Sequence, residues 1–361
     1  MGKLFDGHVH YTFEIPLQET IEIFREEFAA TDTAKYAFMS LPHHATEYGL
    51  GVSFDDVQNV KGLYLKHVFS PNAYAFAGLE HPLNEADKKK YASNLLKQAE
   101  TYAAAGYDGM KMLEGYPSMR KAMKIRLCDE VYDLYYSFLE ENNIPVTMHI
   151  ANPAENWDPM SVSEYARSVG RYCDHTYPTK AELHAEVDEI MRKHPRLKLM
   201  LAHFGFLTYD IKQARKWLDE HENTLLDMTP GGEQYFNMLK NWDEWHAFFV
   251  EYQDRIVYGS DFYAFPKDEK WEENFKRRTN FVRQFLETDS EHLYIDKTFC
   301  GVKMEEPLRQ KILYDNGCRL FGSPKTIDVS FIRNTAEKLL EKDEHKDPYA
   351  KTDLEFILNN L

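Results

Sequence analysis

The chain has 361 residues, 43% of them hydrophobic, enough for one large core or two ordinary ones. Lys and Arg number 43 against 59 Asp and Glu, a formal net charge of −16 that disfavours nucleic-acid backbones and anionic membrane surfaces as partners. The four cysteines (Cys128, Cys173, Cys300, Cys318) show no framework spacing, no signal-peptide pattern opens the chain, and no apolar run reaches the ~18 residues of a membrane span, so a cytoplasmic protein with free thiols is expected.

Short apolar runs alternate with helical patterns along the chain. The expected strands start with "KLFDGHVH" (Lys3–His10), "KYAFMSLP" (Lys35–Pro42), "AYAFAGLE" (Ala73–Glu80) and "YDGMKMLE" (Tyr107–Glu114). They continue with "IPVTMHIA" (Ile144–Ala151), "LKLMLAHFG" (Leu197–Gly205), "TLLDMTPG" (Thr224–Gly231) and "RIVYGSDF" (Arg255–Phe262). Between them, segments such as Glu85–Ala105, Arg126–Glu141, Lys180–Lys193, Tyr209–His221 and Trp242–Glu251 carry apolar residues at helical spacing. Eight strands alternating with helices, roughly 30 residues apart, predict an α/β fold of the (β/α)8 TIM-barrel type. The competing doubly wound sheet usually announces a Gly-rich phosphate loop after its first strand, which "DGHVHYTFE" is not. No Pro-, Gly- or Ser-rich linker divides the chain, so a single barrel over residues 1–322 is expected, with a helical extension over 323–361 packing on it. Asn152–Thr179 is the longest loop and a candidate cover for a pocket.

Polar residues of ligand type fall at one end of these strands. His8 and His10 close the first strand, and alternation sends both to the same face. Lys111 lies in the fourth, His149 ends the fifth, His203 the sixth and Asp261 the eighth. Each alone reads as an ordinary hydrogen-bonded residue. Together they bring several ionisable groups to the C-terminal rim, where barrel active sites sit. Burying so many without a cation is costly, and a divalent metal removes that cost.

This order of residues resembles the amidohydrolase superfamily of metal-dependent hydrolases, and the local motifs resemble its amidohydrolase-related (type 2) branch. The carriers are "FDGHVH", "GYDGMKML", "IPVTMHI", "HPRLKLMLAHFG", "RIVYGSDF" and the closing "ILYDNGCRLFG", spanning Phe5 to about Gly322. One departure stands in the fourth strand, where Glu114 follows the Met-Leu in place of the branch's frequent His.

The resemblance implies that His8, His10, His149 and Asp261 hold a divalent metal, with Asp261 also moving a proton and His203 acting on the substrate or as a further ligand. Lys111 joins the ligands only if carboxylated, and one metal per chain is favoured over two. Zinc suits the His-rich donor set, with manganese, iron or nickel as alternatives. The implied activity is hydrolysis of a C–N or C–O bond (amide, lactone or ester) of a small molecule by a metal-activated water. The alternative is metal-dependent, non-oxidative decarboxylation of an aromatic or dienoic acid; a non-catalytic metal-binding barrel ranks third. Substrate contacts are expected from Tyr11, Phe13, Glu80, His81, Lys111, Glu114, Arg120 and Trp157, with Arg120 the candidate clamp for a carboxylate. His43 and His44 lie at the same end, and Phe204, Phe206, Phe262, Tyr263 and Phe265 follow strand ends as pocket or packing residues. Asp227 and Thr229 are candidates for supporting hydrogen bonds. A homodimer is compatible with all of this.

Overall fold

The computed structural model describes residues 3–11, 14–42, 56–82, 85–231, 233–266, 271–294 and 297–361, with residues 165 and 271–278 described in backbone only. Phe13, His43 and His44 lie outside the described residues. Seven strands fall where alternation and β-branched or aromatic runs place them. They are β1 (Leu4–Tyr11), β2 (Thr33–Met39), β3 (Ala73–Gly78), β4 (Gly109–Gly115), β5 (Val146–Ile150), β6 (Leu199–Leu201) and β7 (Thr224–Asp227). The eighth is split into β8 (Ile256–Val257) and β9 (Phe262–Ala264). Among the described residues these nine strands form one sheet in the order β8-β7-β6-β5-β4-β3-β2-β1-β9, and every pairing is parallel.

The split has a local cause. β8 pairs with β7 and β9 pairs with β1, so the single stretch Ile256–Ala264 bridges the first and seventh strands and closes the barrel. Gly7 N–H donates to Tyr258 O at 3.0 Å and Asp261 N–H to His8 O at 3.0 Å across the gap. Between the two halves Asp261 takes φ of +55°, a left-handed turn that interrupts the strand geometry. β6 is likewise shorter than expected, because His203, Phe204 and Phe206 also have positive φ and fold into a tight turn directly after it.

β1 carries an irregularity that decides which side chains meet. Phe5 faces the barrel interior with Met39, Tyr74, Phe76, Met200, Leu225 and Val257, whereas Val9 and Tyr11 face the helix layer. Strict alternation from Phe5 would send His8 and His10 outward. The register against β2 shifts between Asp6 and Val9, and this slip turns both histidines inward. The interior is plugged from below by Leu320 and Phe321 of the helix Asn316–Phe321. That helix is anchored by Asn316, whose Nδ2 donates to Gln253 O and Ile256 O at 2.7 Å each. A Cβ on Gly317 would lie 2.5 Å from the Phe5 ring, so only glycine lets the plug approach β1.

Beyond the plug, helices Val329–Leu340 and Ala350–Asn359 pack on each other and against the helix Val57–Val68. The seam is charged and buried. Lys61 Nζ lies 2.5 Å from both Asp347 Oδ2 and Asp353 Oδ2, and Asp353 Oδ1 accepts from Leu17 N–H at 2.7 Å. A hairpin, Glu291–Tyr294 with Lys297–Cys300, stands apart from the barrel sheet and was not expected from the strand pattern. The four cysteines are free, and among the described residues no helix is long and apolar enough to cross a membrane.

Candidate metal centre

The strand ends bring His8, His10 and Asp261 together, with ligand atoms all within 4.8 Å of one another. His8 Nε2 and His10 Nε2 lie 3.0 Å apart. The outer nitrogen of each ring has an acceptor. His8 Nδ1 is 2.7 Å from Asp227 Oδ2, and His10 Nδ1 is 3.0 Å from Met39 O. A carboxylate and a carbonyl can only accept, so these partners assign the proton to Nδ1 in both rings and leave both Nε2 lone pairs facing inward. Burial holds both imidazoles well below their usual pKa, so neither gains a second proton near neutrality. Asp261 Oδ1 is 3.6 Å from His10 Nε2.

The remaining residues complete the rim. Lys111 Nζ lies 2.9 Å from His8 Nε2. Burial lowers Lys111 to about 8 against the opposing pull of Asp227, Asp261 and Glu114. His149 Nε2 is 3.0 Å from Ala151 O, which leaves Nδ1 as its donor atom toward a metal. Its ring centroid is 4.9 Å from that of His203, which is 6.0 Å from that of His8. His203 Nδ1 is 3.3 Å from Pro230 O, and the ring stacks on Phe206 at 5.2 Å. His149 and His203 therefore neighbour the tight group of three without sharing its 4.8 Å limit.

Two aspartates hold this arrangement. Asp227 accepts from His203 N–H at 2.7 Å and Thr229 N–H at 3.1 Å through Oδ1 while Oδ2 meets His8, so one carboxylate fixes both a ring and a turn. Thr229 Oγ1 adds a contact to His8 Nδ1 at 3.1 Å. Asp6 ties β1 to the strand-eight turn. It accepts from Ser260 N–H at 3.0 Å, Ser260 Oγ–H at 2.5 Å and His8 N–H at 3.1 Å. Sequence reading missed Asp6 and Ser260 as site supports; a carboxylate at a strand position two residues before a His is the available signal. Gly259 lets the turn lie on His8, since a Cβ there would meet Thr229 Oγ1 at 2.5 Å and His8 Cβ at 2.9 Å.

Several expected substrate residues are occupied elsewhere. Arg120, the expected carboxylate clamp, is paired instead with a protein carboxylate: its Nη2 donates to Glu186 Oε1 at 2.9 Å and its Nε to Glu186 Oε2 at 3.1 Å. Tyr11 is buried in the helix-facing core and its hydroxyl meets Ser40 Oγ and Gln58 O at 2.7 Å each. Glu80 is exposed to solvent at the end of β3. His81 Nε2 and Glu114 Oε1 pair at 2.7 Å, both side chains buried. Trp157 Nε1 donates to Pro178 O at 3.0 Å, pinning the long strand-five loop to itself. The aromatics divide. Phe206 and Tyr263 stack on His203 and His10, whereas Phe204 packs among Trp245, Phe248 and Phe249, and Phe262 packs against Phe24.

The donor set fits a divalent cation: two imidazole nitrogens 3.0 Å apart turn their lone pairs inward, and Asp261 adds the negative charge. Comparison with known proteins adds the fold and the family. No curated protein matches the chain. Among solved structures, an uncharacterized TIM-barrel protein from Bordetella bronchiseptica matches with a TM-score of 0.56 at 14% identity, covering 88% of this chain and 98% of that one. A structure described as an amidohydrolase matches with a TM-score of 0.55 at 15% identity, covering 88% and 99%. A dihydroxybenzoic acid decarboxylase from a Polaromonas species, solved with bound manganese and an inhibitor, matches with a TM-score of 0.50 at 14% identity, covering 89% and 97%. At such identities the likeness establishes the TIM-barrel fold. The profile of the family described as Amidohydrolase (type 2) matches residues 94–323, a span that holds Lys111, His149, His203 and Asp261, while the barrel closure brings in His8 and His10 from before it. The chain is thus a TIM-barrel member of the metal-dependent amidohydrolase type 2 family.

Proposed function

We propose that the chain is a metal-dependent hydrolase that cleaves a C–N or C–O bond of a small amide, lactone or ester. The observation that carries this reading is the meeting of His8 Nε2 and His10 Nε2 at 3.0 Å, both lone pairs inward, beside the Asp261 carboxylate. His8, His10, His149 and Asp261 would hold one divalent cation per chain, with zinc first and manganese, iron or nickel as alternatives. Such a cation supplies Lewis acidity toward a carbonyl oxygen and makes a nearby water more acidic.

The chain's own residues do the rest. Asp261 accepts the proton of the attacking water and returns it to the leaving nitrogen or oxygen. Its side chain is 16% exposed, so the transfer is shielded yet reachable. With its Nδ1–H turned to Pro230 O and burial keeping the ring neutral, His203 presents an Nε2 lone pair, which suits it as a further ligand of the cation or as an acceptor for the proton of a bound water. Lys111 adds positive charge where negative charge develops, and Phe206 and Tyr263 wall the mouth. Decarboxylation of an aromatic or dienoic acid is the second reading, favoured by the buried Lys111 cation, which would meet a substrate carboxylate. The test is a substrate panel on zinc-loaded protein: acid or amine release from lactones, esters and amides supports hydrolysis, and carbon dioxide release from aromatic acids supports the second reading. Intact-mass analysis after purification in bicarbonate is expected to find Lys111 without an added carboxyl group; an added carboxyl with two metals per chain would overturn the single-cation arrangement.

A further inference from the structure

Outside the histidine cluster, Lys180 is a cation that has lost water without gaining a hydrogen-bond acceptor among the described residues. Lys180 opens the helix Lys180–Lys193, set there by a capping box between Thr179 and Glu182. It is 9% exposed, and its Nζ is buried with no hydrogen-bond acceptor. The ammonium lies 4.3 Å from the Tyr209 ring centroid and 5.7 Å from that of Phe206. Phe206 in turn packs on His203 and, at 5.6 Å, on His149. Lys180 therefore stands at the same aromatic wall that bounds the histidines.

Glu233, in the loop after β7, and Glu155, in the loop after β5, act on Lys180 through space without bonding to it. Glu233 Oε2 is also buried, with no hydrogen-bond partner among the described residues. Burial pushes the ammonium down and the carboxyl of Glu233 up. A structural ion pair closes to hydrogen-bond distance to offset its desolvation. Among the described residues Lys180 and Glu233 do not close to such a distance, and each keeps a buried polar atom without a hydrogen-bond partner. Tyr209 is 47% exposed, so the cage borders solvent on its side.

We propose that Lys180 and Glu233 form a substrate subsite for a carboxylate that carries a neighbouring hydroxyl or N–H. The carboxylate accepts from Lys180 Nζ and the donor group faces Glu233. The inference rests on the barrel mouth being the reaction site, since Phe206 is the shared wall.

The test titrates the full-length, zinc-loaded chain calorimetrically with salicylate and with salicylamide. Salicylate is expected to bind at least ten-fold tighter than salicylamide. Lys180→Met brings salicylate down to the salicylamide level, Lys180→Arg restores most of the difference, and Glu233→Gln weakens salicylate by a smaller factor. The melting temperature of Lys180→Met stays level or rises, because an unpaired buried charge is removed. Unchanged salicylate binding in Lys180→Met overturns the proposal, as does equal or absent binding of the two ligands by the parent chain. A lowered melting temperature with unaltered binding marks a structural ion pair and also overturns it. Failure of the catalytic reading looks different: the chain takes up no zinc, yet still separates the two ligands through Lys180.

Discussion

Two clusters of buried charge in this chain behave in opposite ways. At the seam with the C-terminal helices, Lys61 meets Asp347 and Asp353, all three side chains within 1% of complete burial, and the charges answer one another. At the barrel mouth, His8 and His10 turn their Nε2 lone pairs toward each other, and Lys111 Nζ donates to that of His8. The first cluster is one ammonium held between two carboxylates, an ion-paired arrangement made of its own side chains. The second is supported on its outer side and leaves ligand-type lone pairs facing inward. Folding alone selects the first kind; the second persists where a bound cation and a reaction need it.

The largest expected effect separates the two. Asp261→Asn should lower turnover by ~10³-fold or more on whichever substrate the panel identifies, as loss of a positioned proton carrier does. Its midpoint in urea unfolding should hold or rise; a parallel fall in stability would place Asp261 with the structural cluster instead. Lys61→Met should do the reverse. Removing one member of a buried pair costs ~3–5 kcal/mol, read by urea unfolding, with kcat/KM per folded molecule unchanged. Adding Asp347→Leu and Asp353→Leu to it should recover part of the loss, short of full recovery because Asp353 also serves Leu17 N–H.

A smaller effect probes how the mouth is held. Asp227→Asn should weaken metal affinity by ~10–100-fold, as loss of the group that orients a ligand histidine does, measured by competition with a chelating dye. An unchanged affinity would detach His8 from the metal. Smallest is Arg120→Ala, expected to cost ~1–2 kcal/mol through Glu186 and to leave KM within a factor of two. A large rise in KM with stability intact would return Arg120 to the substrate.

Much of the fold was legible because its signals are local. The helices Lys180–Lys193 and Trp242–Glu251 have the bounds their periodicity predicts, and the strand runs from β1 to β7 fall within a few residues. The shortened sixth strand and the split eighth were not legible, because both depend on left-handed turns at His203 and Asp261 that tertiary contacts impose on residues with no glycine signature. Which histidines face inward was legible only by assuming an unbroken strand. The register slip between Asp6 and Val9 yields the same outcome by a different path. Arg120 shows the limit of reading charge from sequence. Its carboxylate partner, Glu186, arrives from a helix far along the chain, and no local signal announces that pairing. Lys180 is the converse, hidden among ordinary helical lysines until the fold strips its solvent.

The most direct test of the central claim is a zinc titration of the metal-free chain by calorimetry, alongside His8→Ala with His10→Ala. The account predicts a stoichiometry near one per chain in the parent and no binding in the double variant. Equal zinc binding by both proteins, or none by the parent, would contradict it.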